Sequence, residues 1–171
     1  MKKVLWIGLL VALVLFGGAL FGLKELTYAQ MPDLNDAAQT ALDHSVLYQI
    51  DFVKLYTGGP KCYAFFGKDK LGRQVIVFAT KDKVLGSEYQ DKGLTAAKAE
   101  ETARQTFGYT LIDSVTPGIM DRNSKQPFAD KTSGKFLWEI YGTNKQGQKQ
   151  YTYLDFYTGK ELATYVLKPI R

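Results

Sequence analysis

The sequence predicts an α+β protein: an N-terminal transmembrane helix followed by two tandem domains, each a helix packed on a small antiparallel sheet. Val4 to Leu23 is a run of twenty residues without a charge, the length that crosses ~30 Å of hydrocarbon as a helix. Further on, two hairpin signals repeat each other in one register, and each follows a stretch of helical periodicity. The expected organisation is a cytoplasmic tip and anchor over 1–23, a juxtamembrane linker over 24–33, a first domain over 34–91 and a second over 92–171.

The anchor comes first. Thirteen of its twenty residues are Leu, Val, Ile or Phe, which together favour the bilayer by roughly 4–8 kcal/mol on the insertion scale. Lys2 and Lys3 precede the run, whereas Lys24 after it is offset by Glu25. Positive flanks stay in the cytoplasm, so the chain beyond the span is expected to face outward. A cleaved signal peptide is the competing reading, with Thr27-Tyr-Ala29 as the small-residue site. The apolar run exceeds the ~7–15 residues of a signal core, and Lys24-Glu25 intervenes, so anchoring is the expectation. No cysteine lies nearby for lipidation. Gly18 and Gly22 form a small-xxx-small pair that either admits a second helix or reflects the ordinary frequency of glycine in spans.

The first domain opens on a helix whose Leu34, Ala37, Ala38, Ala41 and Leu42 fall on one face, with Pro32 and Asp33 suited to its first turn. A strand over roughly Val46–Tyr56 ends at Gly58-Gly59-Pro60. The hairpin follows: Cys62-Tyr-Ala-Phe-Phe66, the loop Gly67 to Gly72, then Val75-Ile-Val-Phe78. The second domain repeats this order. Thr95 is the N-cap of a helix with Ala99, Ala103, Thr106 and Phe107 as its buried stripe and Gly108 as its stop. A strand over Tyr109–Val115 leads to Pro117-Gly118, and the second hairpin runs from Phe136 to Tyr153. A constant offset of 75 pairs Tyr63 with Trp138, Phe66 with Tyr141, Gly67 with Gly142, Asp69 with Asn144 and Gly72 with Gly147. Glu161–Leu167 adds a closing strand after the Thr158-Gly159 turn. The second half carries extra residues between Gly118 and Lys135, a loop long enough to be functional or disordered. Its Ile119, Met120 and Phe128 can dock on a partner or back onto their own sheet.

Composition narrows the chemistry. Among 171 residues, 46% are hydrophobic and 23% charged, which supports a packed core. The net charge of +5 includes Lys2 and Lys3, leaving too faint a bias for a nucleic-acid footprint. One cysteine, Cys62, permits no intramolecular disulfide, and one histidine, His44, permits no multi-histidine metal cluster. Cys62 opens an apolar strand and reads as a small hydrophobe, and His44 ends a helix, so neither reads as half of a nucleophilic pair. Glu139 and Asp155 lie in neighbouring strands and are the carboxylates a glycosidase would need. Yet Glu139 alternates with Trp138 and Ile140, which assigns it to an exposed face, and Asp155 leads into a turn whose amides it can accept. Asp69 and Asn144 sit in hairpin loops with too few oxygen ligands for calcium. No catalytic residue, cofactor, metal, nucleic acid or small-molecule substrate is expected.

Aromatic surface remains. Of 23 aromatic residues only Trp6, Phe16 and Phe21 fall in the span. One hairpin face is expected to pair Trp138 and Ile140 with Tyr151 and Tyr153. The other sets Leu137, Glu139 and Tyr141 beside Thr152, Leu154 and Phe156. Both faces carry apolar side chains, so one needs a cover other than its helix: the other domain or a different protein. Tyr141, Glu139, Ile119, Met120 and Phe128 are the candidate protein-binding residues.

Leu94-Thr-Ala-Ala-Lys-Ala99, Trp138-Glu-Ile140 and Tyr151-Thr-Tyr-Leu-Asp155-Phe-Tyr-Thr-Gly159-Lys160 make the second half resemble a PepSY domain, so the two halves are expected to be cystatin/PepSY-like. With the anchor, the related first half, and Tyr56-Thr-Gly58 leading to Tyr63-Ala-Phe-Phe-Gly67, the chain resembles the TseB-like (YpmB) proteins of Gram-positive bacteria. That resemblance implies a bitopic, non-enzymatic surface protein that influences cell-wall elongation by associating with an elongation-type penicillin-binding protein. PepSY domains are similar to inhibitory segments of secreted peptidase precursors, which implies the alternative of a peptidase inhibitor or envelope sensor.

Overall fold

The computed structural model describes residues 33–120, 131 and 134–168. The span at 4–23, the Gly18/Gly22 pair, the Thr27–Ala29 site and Phe128 lie outside them. Among the described residues no helix is long and apolar enough to cross a membrane.

Helix α1 (Leu34–Asp43) buries Ala37 and Ala41, two small residues that let it lie close on a sheet. Asp33 stands just before it at φ 66, a left-handed conformation that Asp tolerates, so it precedes the first turn that the sequence assigned to it. Four strands follow in meander order: β1 (Gln49–Tyr56), β2 (Cys62–Lys68), β3 (Gln74–Ala79) and β4 (Val84–Tyr89). Strand β4 is unforeseen in the sequence reading, because its Gly86, Ser87 and Glu88 lack the β-branched run that marks a strand. A 3₁₀ turn, Gln90–Lys92, leads to helix α2 (Ala96–Thr106), whose Thr95 cap accepts the Lys98 N–H at 3.2 Å. Ala99 and Ala103 are buried as expected, but Thr106 is exposed. The second meander is β5 (Tyr109–Ile119), β6 (Phe136–Asn144), β7 (Lys149–Asp155) and β8 (Glu161–Val166).

The repeat is visible at atomic scale in the two hairpin turns. Asp69 Oδ1 accepts the N–H groups of Leu71 (2.8 Å) and Arg73 (2.9 Å). Asn144 Oδ1 accepts those of Gln146 (3.0 Å) and Gln148 (2.9 Å). Gly72 (φ 80) and Gly147 (φ 73) take the left-handed position in the same place. A buried side-chain oxygen thus fixes each turn, and with it the register of each hairpin.

Strand β5 departs from the sequence reading by continuing through Pro117-Gly118 to Ile119, which pairs with Phe136. It is an edge strand, so the missing Pro117 N–H costs no ladder bond. Gly118 is required by contact: a Cβ there would lie 2.5 Å from the Tyr56 ring. The connection that was expected to start at Gly118 therefore starts after Met120, whose N–H bonds the Lys135 carbonyl at 2.8 Å.

Each sheet lays one face on its helix. In the first, Tyr63, Phe65, Val75, Val77 and Ala79 are buried on the α1 side. Its other face, Cys62, Ala64, Phe66, Ile76 and Phe78, joins one continuous cluster with Ala99, Ala103, Phe136, Leu137, Trp138 and Phe156 of the second half. Phe78 stacks on Phe136 with centroids 5.4 Å apart. Polar ties run across the same boundary: Tyr157 OH donates to Glu88 Oε2 (2.6 Å), Lys54 Nζ to the Val115 carbonyl (2.6 Å) and Lys135 Nζ to the Leu85 carbonyl (3.1 Å). Leu34–Arg171 is accordingly one compact unit.

Candidate functional site

The pairing of β6 with β7 sets Trp138 opposite Leu154, Glu139 opposite Tyr153, Ile140 opposite Thr152 and Tyr141 opposite Tyr151. This is one residue out of step with the expected pairing, and a one-residue slip exchanges the faces of a strand. Trp138, Ile140, Thr152 and Leu154 therefore share the α2 side. Leu137, Glu139, Tyr141, Tyr151, Tyr153 and Asp155 share the opposite one. Tyr151 in turn faces Tyr165 on β8. The result is a row of tyrosines across three strands: Tyr141–Tyr151 centroids are 4.6 Å apart, Tyr151–Tyr153 6.5 Å and Tyr153–Tyr165 6.1 Å.

One end of this face is covered from within. The corner between β1 and β2 reaches over it, with Tyr56 fully buried against Gly118 and Leu137. Gly58 is seated directly on the Glu139 carboxyl, where a Cβ would collide with Oε2. Glu139 is consequently only 9% exposed, which corrects its assignment to an exposed face. Burial pushes its carboxyl above the ordinary carboxylate range, and the hydrogen bond from Tyr153 pulls it partly back. The Tyr153 phenol is driven upward by burial and then by the Glu139 charge. Tyr141 and Tyr151 are half-buried and Tyr165 exposed, so the far end of the row stays accessible. Its rim carries Lys149, 2.7 Å from Asp113 Oδ2 and 5.4 Å from the Tyr141 centroid.

Of the candidate binding residues, Tyr141 lies in the accessible row. Ile119 and Met120 are buried in the shared cluster, so of their two expected fates they take the second and dock on their own sheet. Tyr151, Tyr153 and Tyr165 join Tyr141 in this row, beyond the residues that the sequence picks out. Their alternation in Tyr151-x-Tyr153 was the available signal, but the face it belongs to depends on register. Asp155 serves its turn: Oδ1 accepts from Tyr157 N (3.1 Å), Thr158 N (2.8 Å) and Thr158 Oγ1 (2.9 Å). Cys62 is buried in the cluster and its thiol is pushed up to about 12, which keeps it protonated at neutral pH. Among the described residues no group of three or more His, Cys, Asp or Glu is placed to hold a metal ion.

Two fused antiparallel meanders, each backed by one helix, with an aromatic sheet face half left open, define an α+β protein. No protein-family model matches the chain. It is 28% identical over 129 residues to the "Probable cell wall elongation regulator TseB" of Bacillus subtilis (strain 168), a match covering 74% of this chain and 72% of that one. A solved structure, "YpmB protein from Bacillus subtilis", superposes with a TM-score of 0.65 at 26% identity, covering 80% of this chain and 98% of the other. The chain is thus similar in sequence to TseB and in both sequence and fold to YpmB of Bacillus subtilis.

Proposed function

We propose that this protein is a non-enzymatic regulator of cell-wall elongation, anchored in the cell membrane by residues 4–23 with its two sheets outside the cell. It binds a penicillin-binding protein of the elongation machinery through the accessible end of the tyrosine row. The observation that carries this reading is that row: Tyr141, Tyr151 and Tyr165 form an aromatic surface on rigid strands. Tyrosine supplies large contact area with little conformational entropy to lose, and is enriched where proteins meet. The similarity to a probable elongation regulator supports the process, and the uncharged N-terminal run supports the location.

The test is photocrosslinking in living cells. A photoreactive amino acid at Tyr141 or Tyr165 is expected to yield an adduct that also carries a fluorescent penicillin. Repeated absence of penicillin label from adducts at both positions refutes the reading, and so does equal labelling from a position on the α1 side such as Gln39.

A further inference from the structure

Strand β8 is the outer strand of the second sheet. The Leu167 N–H bonds the Lys149 carbonyl at 2.8 Å, and Tyr165 pairs with Tyr151, Thr164 with Thr152 and Val166 with Gln150. Backbone groups in an antiparallel strand alternate in direction, so those of Leu167 and Tyr165 turn toward β7 and those of Thr164 and Val166 turn outward. Just before them, the outward Leu162 carbonyl is held by Lys131 Nζ at 3.3 Å. Among the described residues nothing pairs with the outward groups that follow Leu162, so the open stretch is short and begins there. Within it there is no proline and no charge between Glu161 and Lys168, two devices that block pairing at an edge, and Tyr165, Val166 and Leu167 are 42%, 46% and 42% exposed.

We infer that the outward edge of β8 at Thr164–Val166 receives an extended, acidic-flanked peptide segment of a partner protein as a fifth strand of the second sheet. Strand addition supplies affinity through main-chain hydrogen bonds and specificity through alternate side chains. The incoming strand would lay one set of side chains beside Tyr165, continuous with the tyrosine row. Among the described residues Lys131, Lys160 and Lys168 flank the open stretch along the chain or at the Leu162 carbonyl, against the acid Glu161, which selects acidic flanks. Antiparallel self-pairing of two copies centred on Thr164 sets Lys160 opposite Lys168 and needs the Leu162 carbonyl that Lys131 already holds, whereas self-pairing centred on Tyr165 meets neither obstacle, so the second copy is the competing occupant that the test separates.

The inference deepens the proposed function and rests on the tyrosine row meeting a protein. Its test uses the isotopically labelled full chain in detergent micelles and a synthetic peptide, Glu-Val-Tyr-Val-Thr-Val-Glu. Saturating peptide is expected to slow exchange of the Thr164 and Val166 amides at least ~10-fold, as new hydrogen bonds protect them. An alternately N-methylated peptide should give no protection, and a Lys-flanked version should bind several-fold more weakly. Equal protection by the N-methylated peptide, or none by either, overturns the inference. Protection that grows with protein concentration in the absence of peptide also overturns it, by making a second copy the occupant. Val166→Pro removes an outward N–H and no ladder bond, and should abolish the peptide effect. A penicillin-labelled adduct without peptide protection leaves the proposed function standing and the edge inference fallen; peptide protection without an adduct does the reverse.

Discussion

Replacing Phe136 by alanine tests whether the two meanders are one cooperative body. The ring is buried, 5.4 Å from Phe78 of the first sheet and 6.2 Å from Phe156 of the second. Removing it deletes the stacking contact and leaves a cavity between layers held by rigid strands on both sides, where relaxation is limited. Phe→Ala in such a site costs about 3–5 kcal/mol, out of a total stability of ~5–15 kcal/mol for a domain. If β2 and β7 open together, globally exchanging amides in both should exchange roughly 150- to 5,000-fold faster in Phe136→Ala, at 1.36 kcal/mol per decade. The assay is native-state hydrogen exchange read at Ala64 to Phe66 and at Tyr151 to Tyr153. Acceleration confined to β7, with β2 unchanged, would refute the shared-core reasoning and make the halves independent folding units.

Three further outcomes follow from named contacts. Glu139 has a folded-state pKa raised by burial, so its contribution is most favourable below its unfolded value and is lost as pH rises through the folded one. Wild type should therefore gain stability relative to Glu139→Gln as pH falls from neutral into the ordinary carboxylate range, read from urea midpoints; a difference that stays unchanged down to that range refutes the burial account. Gly118→Ala should destabilise by ~1–3 kcal/mol in thermal melts, because its Cβ would press the Tyr56 ring at 2.5 Å and Leu137 Cδ1 at 2.6 Å, whereas Gly147→Ala, with open space around it, should show only the strain of its φ of 73. Cys62 should resist a thiol reagent at pH 8 in the folded protein and react at once in denaturant, as a thiol pushed up to about 12 by burial requires.

The parts legible in the sequence are those fixed by local chemistry. Thr95 caps α2 because its own hydroxyl accepts an amide three residues on, and Asp69 and Asn144 close equivalent turns for the same kind of reason. Duplication amplified that signal, since two weak turn motifs in one register reinforce each other. What escaped was decided by partners distant in sequence. The face assignment of Tyr151 and Tyr153 failed by one residue because register depends on where the Asn144 turn closes. Alternation alone places Glu139 in solvent, because its cover, Gly58, arrives from the other half of the chain. Pro117-Gly118 looked like a stop, but only the sheet order makes β5 an edge that tolerates proline.

The fusion of the halves explains why the accessible aromatic surface is where it is. Each sheet has two faces and one helix, so the pair begins with two faces to cover. The first sheet's spare face is covered by joining the second half's core through Phe78 and Phe136. Among the described residues the second sheet's spare face receives the Tyr56–Gly58 corner, which reaches Gly118 and Glu139, while Tyr141 stays half-buried and Tyr165 exposed. Duplication with one-sided docking leaves half a sheet face over, and a matched pair of apolar meanders cannot hide it by itself. In this chain that remainder is tyrosine, whose hydroxyls keep it compatible with water while its rings pack on one another across the strands.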